Sequence, residues 1–283
     1  TVPFVISGLF TYHFYSTRQS ENIRQYSEQI ISQMAVNLDF FFRDLENLTL
    51  FPFYDPELQL ILERYNNRSP GEFMTRENVQ KLALFLHSLT DTHREIVGAY
   101  LILNDMGYIA SNSTFVERPS LTEQDDVWIS RSKEADGSFV VVPPHLSHYY
   151  HPAPEQVFSV ARVIRSVSTD RHLAVLKLDL KPHSFEKVLS TIQLTPNSRL
   201  TIMDMEDHLL YPEMGSPGSG AAFGEAGADE VTLSAQSDAY GLKIAAALPM
   251  GDLTREAKEL SGFTLAISVA SLVFAFVLAA VVS

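Results

Sequence analysis

The sequence predicts an α+β protein in which one long helix carries two stacked antiparallel-sheet modules and transmembrane helices flank both. Three observations predict this. Apolar residues are spaced three or four apart over 20–50, a strand pattern occurs twice after Val97, and an uncharged apolar stretch ends the chain. The 283 residues are 46% hydrophobic and 19% charged, a composition that supports a folded core rather than disorder.

Both ends of the chain have the character of membrane segments. Phe263 to Val282 forms a stretch of twenty residues without a charge, which is the length of a helix that crosses a bilayer. Residues 1–16 carry no acid, lysine or arginine, and they contain an aromatic cluster typical of a membrane interface at Tyr12, Phe14 and Tyr15. We expect both ends to be parts of membrane helices that continue beyond the sequence.

The segment from 20 to 50 has the clearest helical periodicity. Its apolar stripe comprises Ile23, Tyr26, Ile30, Met34, Leu38, Phe41, Leu45 and Leu48. The stripe can pack against its own domain or against the same helix of a second subunit. Because Phe40 and Phe42 widen it, we expect both contacts, at different heights along the helix.

Shorter helices and two sets of strands follow. Asp55 is placed to cap a helix that begins at Pro56, and Thr75 precedes a helix that extends to His93. The predicted strands are 98–103, 108–111, 139–142, 157–167 and 172–180, then 199–205, 208–211, 231–236 and 242–248, with helices at 128–135, 183–192 and 249–260. One strand–turn–strand motif thus recurs, which predicts two similar modules.

In this order and spacing the sequence resembles the double Cache sensor domain, and in particular that of YesM-type sensor histidine kinases of Gram-positive bacteria. The matching stretches are GAYLILNDMGYIASN, the isolated Trp128, FSVARVIRS with LAVLKLDLKPHSFEKVL, RLTIMDMEDHLLYP and GLKIAAALPMGDL. The resemblance implies two PAS-like modules and this division: 1–17, end of the first transmembrane helix; 18–72, stalk and connecting helix; 73–182, distal module; 183–258, proximal module; 259–283, second transmembrane helix.

The resemblance also implies a ligand site in the distal module, between the sheet and the loops that carry Trp128 and residues 143–155. The candidate ligand-binding residues are Tyr100, Trp128, Arg131, Tyr149, Tyr150, Arg162 and Asp179. Arg162 lies within an apolar strand, where an unpaired charge is costly, and Asp179 on the adjacent predicted strand is its expected partner. The pair can equally be purely structural, and Trp128 can equally be a core residue.

The identity of the ligand is less constrained. Amino-acid-binding Cache domains carry Arg two places before the Trp and Tyr directly after it, whereas this chain has Asp126 and Ile129 there. A sugar or oligosaccharide, which the YesM resemblance favours, is therefore our expectation. His145, His148 and His151 have the spacing H-x2-H-x2-H, which matches no standard metal motif, so we expect a pH-sensitive or solvated loop and no metal.

Several functions are excluded or disfavoured. The chain has no cysteine, which excludes disulfides, thiolate metal sites and cysteine nucleophiles, and its net charge of −13 argues against nucleic acid as a partner. The catalytic and nucleotide-binding motifs that we sought are absent, so we expect no enzyme activity in this chain and no cofactor.

We therefore expect the ligand-sensing, signal-transducing region of a sensor histidine kinase in the cell membrane, with residues 18–260 extracytoplasmic and a homodimer formed through helix 20–50. The same ectodomain also serves chemoreceptors and membrane-bound cyclic-dinucleotide enzymes. A module that captures solutes without signalling is a further alternative.

Overall fold

The computed structural model describes residues 2–69, 71–105, 107–111, 115–116, 123–147, 155–185, 198–211, 230–237 and 239–249, with single helical positions at 270, 273 and 277; side chains of α1 are described from Gln25 onward. Within these residues, no helix is both long enough and apolar enough to cross a bilayer. Apart from these single positions, the predicted second membrane helix lies outside the described residues, as do most of the predicted helices at 183–192 and 249–260.

The helical part of the fold begins with α1 (Val2–Tyr54), which contains the whole of the predicted helix 20–50. Next come α2 (Pro56–Asn66) and α3 (Arg76–Thr92). Asp55 caps α2 by accepting from the amides of Glu57 and Leu58, and Thr75 caps α3 through the amide of Asn78, as the sequence predicted. Proline at the first position of α2 costs no hydrogen bond, because that amide has no helical partner.

Within the described residues, ten strands form two antiparallel sheets. The larger sheet contains β1 (Ile96–Leu103), β2 (Tyr108–Ala110), β3 (Phe115–Val116), β4 (Val140–Ser147), β5 (Glu155–Arg165) and β6 (His172–Leu180), with α4 (Glu123–Glu134) inserted between β3 and β4. The smaller sheet contains β7 (Arg199–Met203), β8 (Leu209–Tyr211), β9 (Glu230–Ser237) and β10 (Leu242–Pro249).

The two sheets share a strand order. It is β3-β2-β1-β6-β5-β4 in the larger sheet and β8-β7-β10-β9 in the smaller one. In each sheet, the first two strands form a short hairpin, an insertion follows, and the last strand pairs with the first: β6 with β1, and β10 with β7. This agrees with the predicted recurrence of one motif, and we call the two sheets with their attached elements the distal and the proximal module.

One continuous apolar core joins both modules to α1. It is lined on α1 by Ile31, Met34, Ala35, Leu38, Phe42, Leu45 and Leu48, and it includes Leu86, Phe158, Leu176, Leu233 and Ile244 from the other elements. Phe42 lies at its centre, since its ring contacts Phe139 and Phe158 of the distal module and Tyr240 of the proximal module. Helix α1 therefore packs against both modules.

The apolar face of α1 is shifted from the predicted stripe. Ile31 and Phe42 are buried at places where the prediction had Ile30 and Phe41, which are only partly buried. Tyr26 and Phe40 are exposed on another side. The long helix thus has two apolar faces, and single-sequence periodicity merged them into one.

Two leucines on α3 provide a matched test of this core. Leu86 is fully buried whereas Leu84, two residues away, is 66% exposed. We expect Leu86→Ala to lower the free energy of unfolding by about 2–5 kcal/mol, through lost burial and the cavity left behind. Leu84→Ala should leave it nearly unchanged. Denaturant unfolding followed by circular dichroism measures both, and equal losses would contradict the assigned core.

Candidate functional site

The candidate site lies on the face of the larger sheet that points away from α1. Side chains of a strand alternate between the two faces, so Lys177 and Asp179, two residues apart on β6, share this face. Tyr100 is the cross-strand partner of Lys177 on β1, and Gly98 is the partner of Asp179. On β5, which flanks β6 on the side away from β1, Ser159 is the cross-strand partner of Asp179. The interior of the sheet thus presents a polar cluster on an otherwise apolar surface.

A bulge in β4 adds His145 and Ser147 to this cluster. The register runs from Val142 opposite Ser159 to His145 opposite Val157, so β4 has one extra residue there. Without that residue, the alternation from Val142 would place His145 on the opposite face. Pro143 and Pro144 fit because β4 is an edge strand in the described sheet. The prediction that residues 143–155 form a loop is wrong as far as Ser147.

We call His145, Ser147, Ser159, Lys177 and Asp179 the buried charge cluster. Lys177 Nζ lies 2.7 Å from Asp179 Oδ1 and 3.1 Å from His145 Nε2. The hydroxyls of Ser147 and Ser159 each donate to Asp179 at 2.6 Å. The side chain of Lys177 is 0% exposed and that of Asp179 1% exposed. Two full charges are therefore held in the sheet with a dense set of hydrogen bonds.

The protonation states follow from these contacts. Burial acts to raise the pKa of Asp179, but the charge of Lys177 and the hydrogen bonds outweigh it and hold the pKa below its usual value. Burial, followed by the charge of Lys177, lowers the pKa of His145. His145 Nδ1 lies 2.8 Å from the carbonyl of Pro143, which only accepts, so Nδ1 carries the proton and Nε2 accepts from Lys177. His145 is therefore neutral at neutral pH.

Two aromatic side chains flank the ammonium group. Lys177 Nζ lies 5.3 Å from the centre of the Trp128 ring and 5.7 Å from that of Tyr100, within the range of cation–π attraction. Trp128 is held by α4, where its indole nitrogen donates to Asp125 at 3.1 Å. The phenol of Tyr100 lies back over Gly98, where a Cβ would collide with it, so glycine is needed at that position. We call Tyr100 and Trp128 the aromatic pair.

Some predicted site residues meet here and others do not. The structure brings together Tyr100, Trp128 and Asp179. Arg131 lies elsewhere: it is on α4, is half exposed, and has Glu206 of the proximal module 4.0 Å away. Tyr149, Tyr150, His148 and His151 lie outside the described residues. Lys177, which the sequence prediction omitted, could have been found because it stands two places from Asp179 in a strand whose other residues are almost all apolar.

The predicted pair of Arg162 and Asp179 is wrong. Arg162 is opposite Leu176, and Asp179 is opposite Ser159, three residues earlier on β5. An odd separation places the two side chains on opposite faces of the sheet. Arg162 instead faces α1, where its guanidinium lies 2.7 Å from Glu46 Oε1. The partner of Asp179 is Lys177.

A second group of polar residues lies in the turn between β7 and β8. Asp204, Glu206 and His208 could each offer a metal ligand within a small radius. However, Asp204 Oδ1 accepts from the amides of Glu206 and His208, and Asp204 Oδ2 lies 2.8 Å from His208 Nδ1. These contacts use the carboxylate of Asp204 to form the turn, which accounts for the cluster without an ion.

Comparisons with known proteins identify the fold. The chain aligns with the sensory domain of the Campylobacter jejuni chemoreceptor Tlp3 with isoleucine bound, at 12% identity and a TM-score of 0.58, covering 85% of this chain and 98% of that one. It aligns equally well with the extracellular domain of a candidate histidine kinase, soHK1S-Z6, at 12% identity, a TM-score of 0.59 and the same coverage.

A third neighbour is the ligand-binding domain of the Pseudomonas aeruginosa amino-acid chemoreceptor PctB in complex with L-Arg, at 14% identity and a TM-score of 0.57, covering 81% of this chain and 96% of that one. No protein-family model and no curated protein matches the sequence. The fold is therefore that of the ligand-binding domains of bacterial chemoreceptors and sensor kinases.

If Lys177 and Asp179 serve to bind a ligand, apolar residues should be able to replace the pair without loss of folding. We expect Asp179→Leu alone to cost about 3–5 kcal/mol of unfolding free energy, because it removes the carboxylate that pairs with the buried ammonium of Lys177. Adding Lys177→Met should recover most of that loss. Denaturant unfolding of both variants measures the difference. A double variant as unstable as the single one would show that the pair is needed by the fold.

Proposed function

We propose that this chain is the extracytoplasmic sensing region of a transmembrane sensor histidine kinase of the YesM type, and that it detects a small molecule in the distal module. The observation that carries the proposal is the buried charge cluster beneath the aromatic pair. Buried ion pairs add little stability compared with apolar residues, so a cluster of this kind in the wall of a module is a candidate binding site. The sensory domains that share the fold support it.

The ligand that best fits this cluster is a small amino acid. Its carboxylate would pair with Lys177 and its ammonium with Asp179, and the net charge of the cluster would stay balanced. The aromatic pair would contact its side chain. A neutral sugar, which the YesM resemblance favoured, has no charged group that could replace either member of the Lys177–Asp179 pair. The sensory domains of Tlp3, with isoleucine bound, and of PctB, in complex with L-Arg, favour an amino acid for the same fold.

A thermal-shift screen of amino acids and sugars against the full chain in detergent tests this proposal. A ligand at about a hundred times its dissociation constant adds about 2.7 kcal/mol to stability, which is a readily measured rise in melting temperature. We expect an amino acid to give the rise and Lys177→Met to abolish it. Lys243→Met is the matched control, because Lys243 is a partly exposed lysine of the proximal module that pairs with Asp207.

The outcomes of the screen separate the candidates. A rise with sugars alone would replace the amino-acid proposal with the original expectation. A rise that persists in Lys177→Met, with the variant folded by circular dichroism, would move the ligand site away from the cluster. No rise with any compound would contradict small-molecule sensing by this domain. The choice of a kinase over a chemoreceptor or a cyclic-dinucleotide enzyme rests on the resemblance, and an assay for autophosphorylation of the full-length protein would test it.

We also propose that the protein works as a homodimer through the outer face of α1. Tyr26, Gln33, Phe40, Asn47 and Tyr54 follow one another at every seventh residue and all are exposed. Val36 and Phe51 extend the same exposed face. A sustained seven-residue spacing with aromatic side chains is typical of a seam between two helices. The inner stripe is occupied by the chain's own core, so Leu38 takes no part in this seam.

Disulfide trapping tests the dimer in the membrane-embedded protein. Because the chain has no cysteine, single cysteines can be introduced without background. We expect Phe40→Cys to form a cross-linked dimer under mild oxidation, since the two copies of residue 40 would face each other. Leu84→Cys, at a position on α3 that is even more exposed than Phe40, should not. Equal cross-linking of the two variants would contradict the seam.

A further inference from the structure

A carboxylate on α1 connects the two modules. Glu46 Oε1 accepts from Arg162 Nη2 of the distal module at 2.7 Å, and Glu46 Oε2 accepts from the hydroxyl of Tyr240 of the proximal module at 2.8 Å. The two oxygens of one side chain thus hold residues that are far apart in the sequence. Glu46 is the only acid in an ion pair with Arg162 among the described residues.

On the distal side, Arg162 links this carboxylate to the elements of the candidate site. Its Nη1 donates at 2.9 Å to the carbonyl of Gly137, in the turn that follows α4, and α4 carries Trp128. Arg162 also lies three residues from Ser159 on the same strand, on the other face. Its side chain is buried, and its Nε has no hydrogen-bond partner among the described residues. Among the described residues, Glu46 and Gly137 accept the hydrogen bonds that hold the guanidinium.

On the proximal side, Tyr240 lies in the turn between β9 and β10. Its ring contacts Phe42 of α1 and Phe139, directly before β4 of the distal module, each at 5.7 Å between ring centres. Ser237, at the end of β9, donates to Asp39 of α1. Burial, followed by the hydrogen bond to Glu46, raises the pKa of Tyr240 to about 12, so its hydroxyl remains a donor to Glu46 at neutral pH.

We infer that Glu46 couples the two modules, so that a displacement of Arg162 or of the α4 turn changes the stability of the β9–β10 turn, and the reverse. The physical reason is that a half-exposed carboxylate is kept in place by two donors from different modules. Losing one donor leaves it able to turn to water and to release the other. Coupling between two sites is reciprocal, so each module should respond to a change in the other.

Hydrogen exchange of the full chain in detergent tests this coupling without any ligand. We expect Arg162→Met to speed amide exchange in peptides that span β9 and β10 by about fivefold or more. The matched control is Arg171→Met, between β5 and β6, because the described hydrogen bonds of its guanidinium go to Thr169 and Asn67, neither of which lies in the α4 turn or the proximal module. The control should leave β9 and β10 at wild-type rates.

The reciprocal variant keeps the test valid if Arg162→Met fails to fold. Tyr240→Phe removes one hydroxyl and keeps the ring contacts, and it should speed exchange in the turn after α4 and in β5. Wild-type rates in that turn and β5 for Tyr240→Phe would overturn the inference. So would equal rates in β9 and β10 for the two arginine variants. Use of this coupling by a bound ligand rests on the proposed function, whereas the exchange rates do not, so the two can fail separately.

Discussion

Lys177 and Asp179 stand two residues apart on β6, in the interior of the larger sheet, and this spacing constrains everything around them. Both side chains must leave the same face, and both charges must be satisfied there, because water does not reach them. Ser147 and Ser159 donate to Asp179, and His145 accepts from Lys177. The bulge in β4 places His145 and Ser147 on the face that carries the two charges. Gly98 and Tyr100, opposite them on β1, complete the surroundings.

The opposite face of the same sheet packs against α1. Alternation along β5 places Ser159 among the charges and Arg162 against α1, so a single strand touches both the candidate site and the helix shared by the modules. Glu46 then extends this contact to Tyr240. This strand with its arginine therefore connects the candidate site physically to the helix that both modules share.

Much of the fold could be predicted from the sequence because it depends on local patterns. Asp55 with Pro56, Thr75, and the alternating strands were identified by capping chemistry and periodicity. The partner of Arg162 could not be, because it depends on strand register, in which a shift of one residue reverses the face. His145 was assigned to a loop since two prolines precede it, and only a bulged edge strand tolerates them. Phe40 and Phe42 could not be assigned to different faces because α1 is apolar on two sides.

The most direct test of the central claim uses Trp128, the only tryptophan of the chain. Its ring lies 5.3 Å from Lys177 Nζ, so its fluorescence reports on the immediate surroundings of the buried charge cluster. Titration of the full chain with an amino-acid mixture that lacks tryptophan, exciting Trp128 selectively, should change the emission in a saturable way if a ligand enters between the aromatic pair and the charges. An emission that stays constant while the melting temperature rises would place the bound ligand elsewhere and contradict the account.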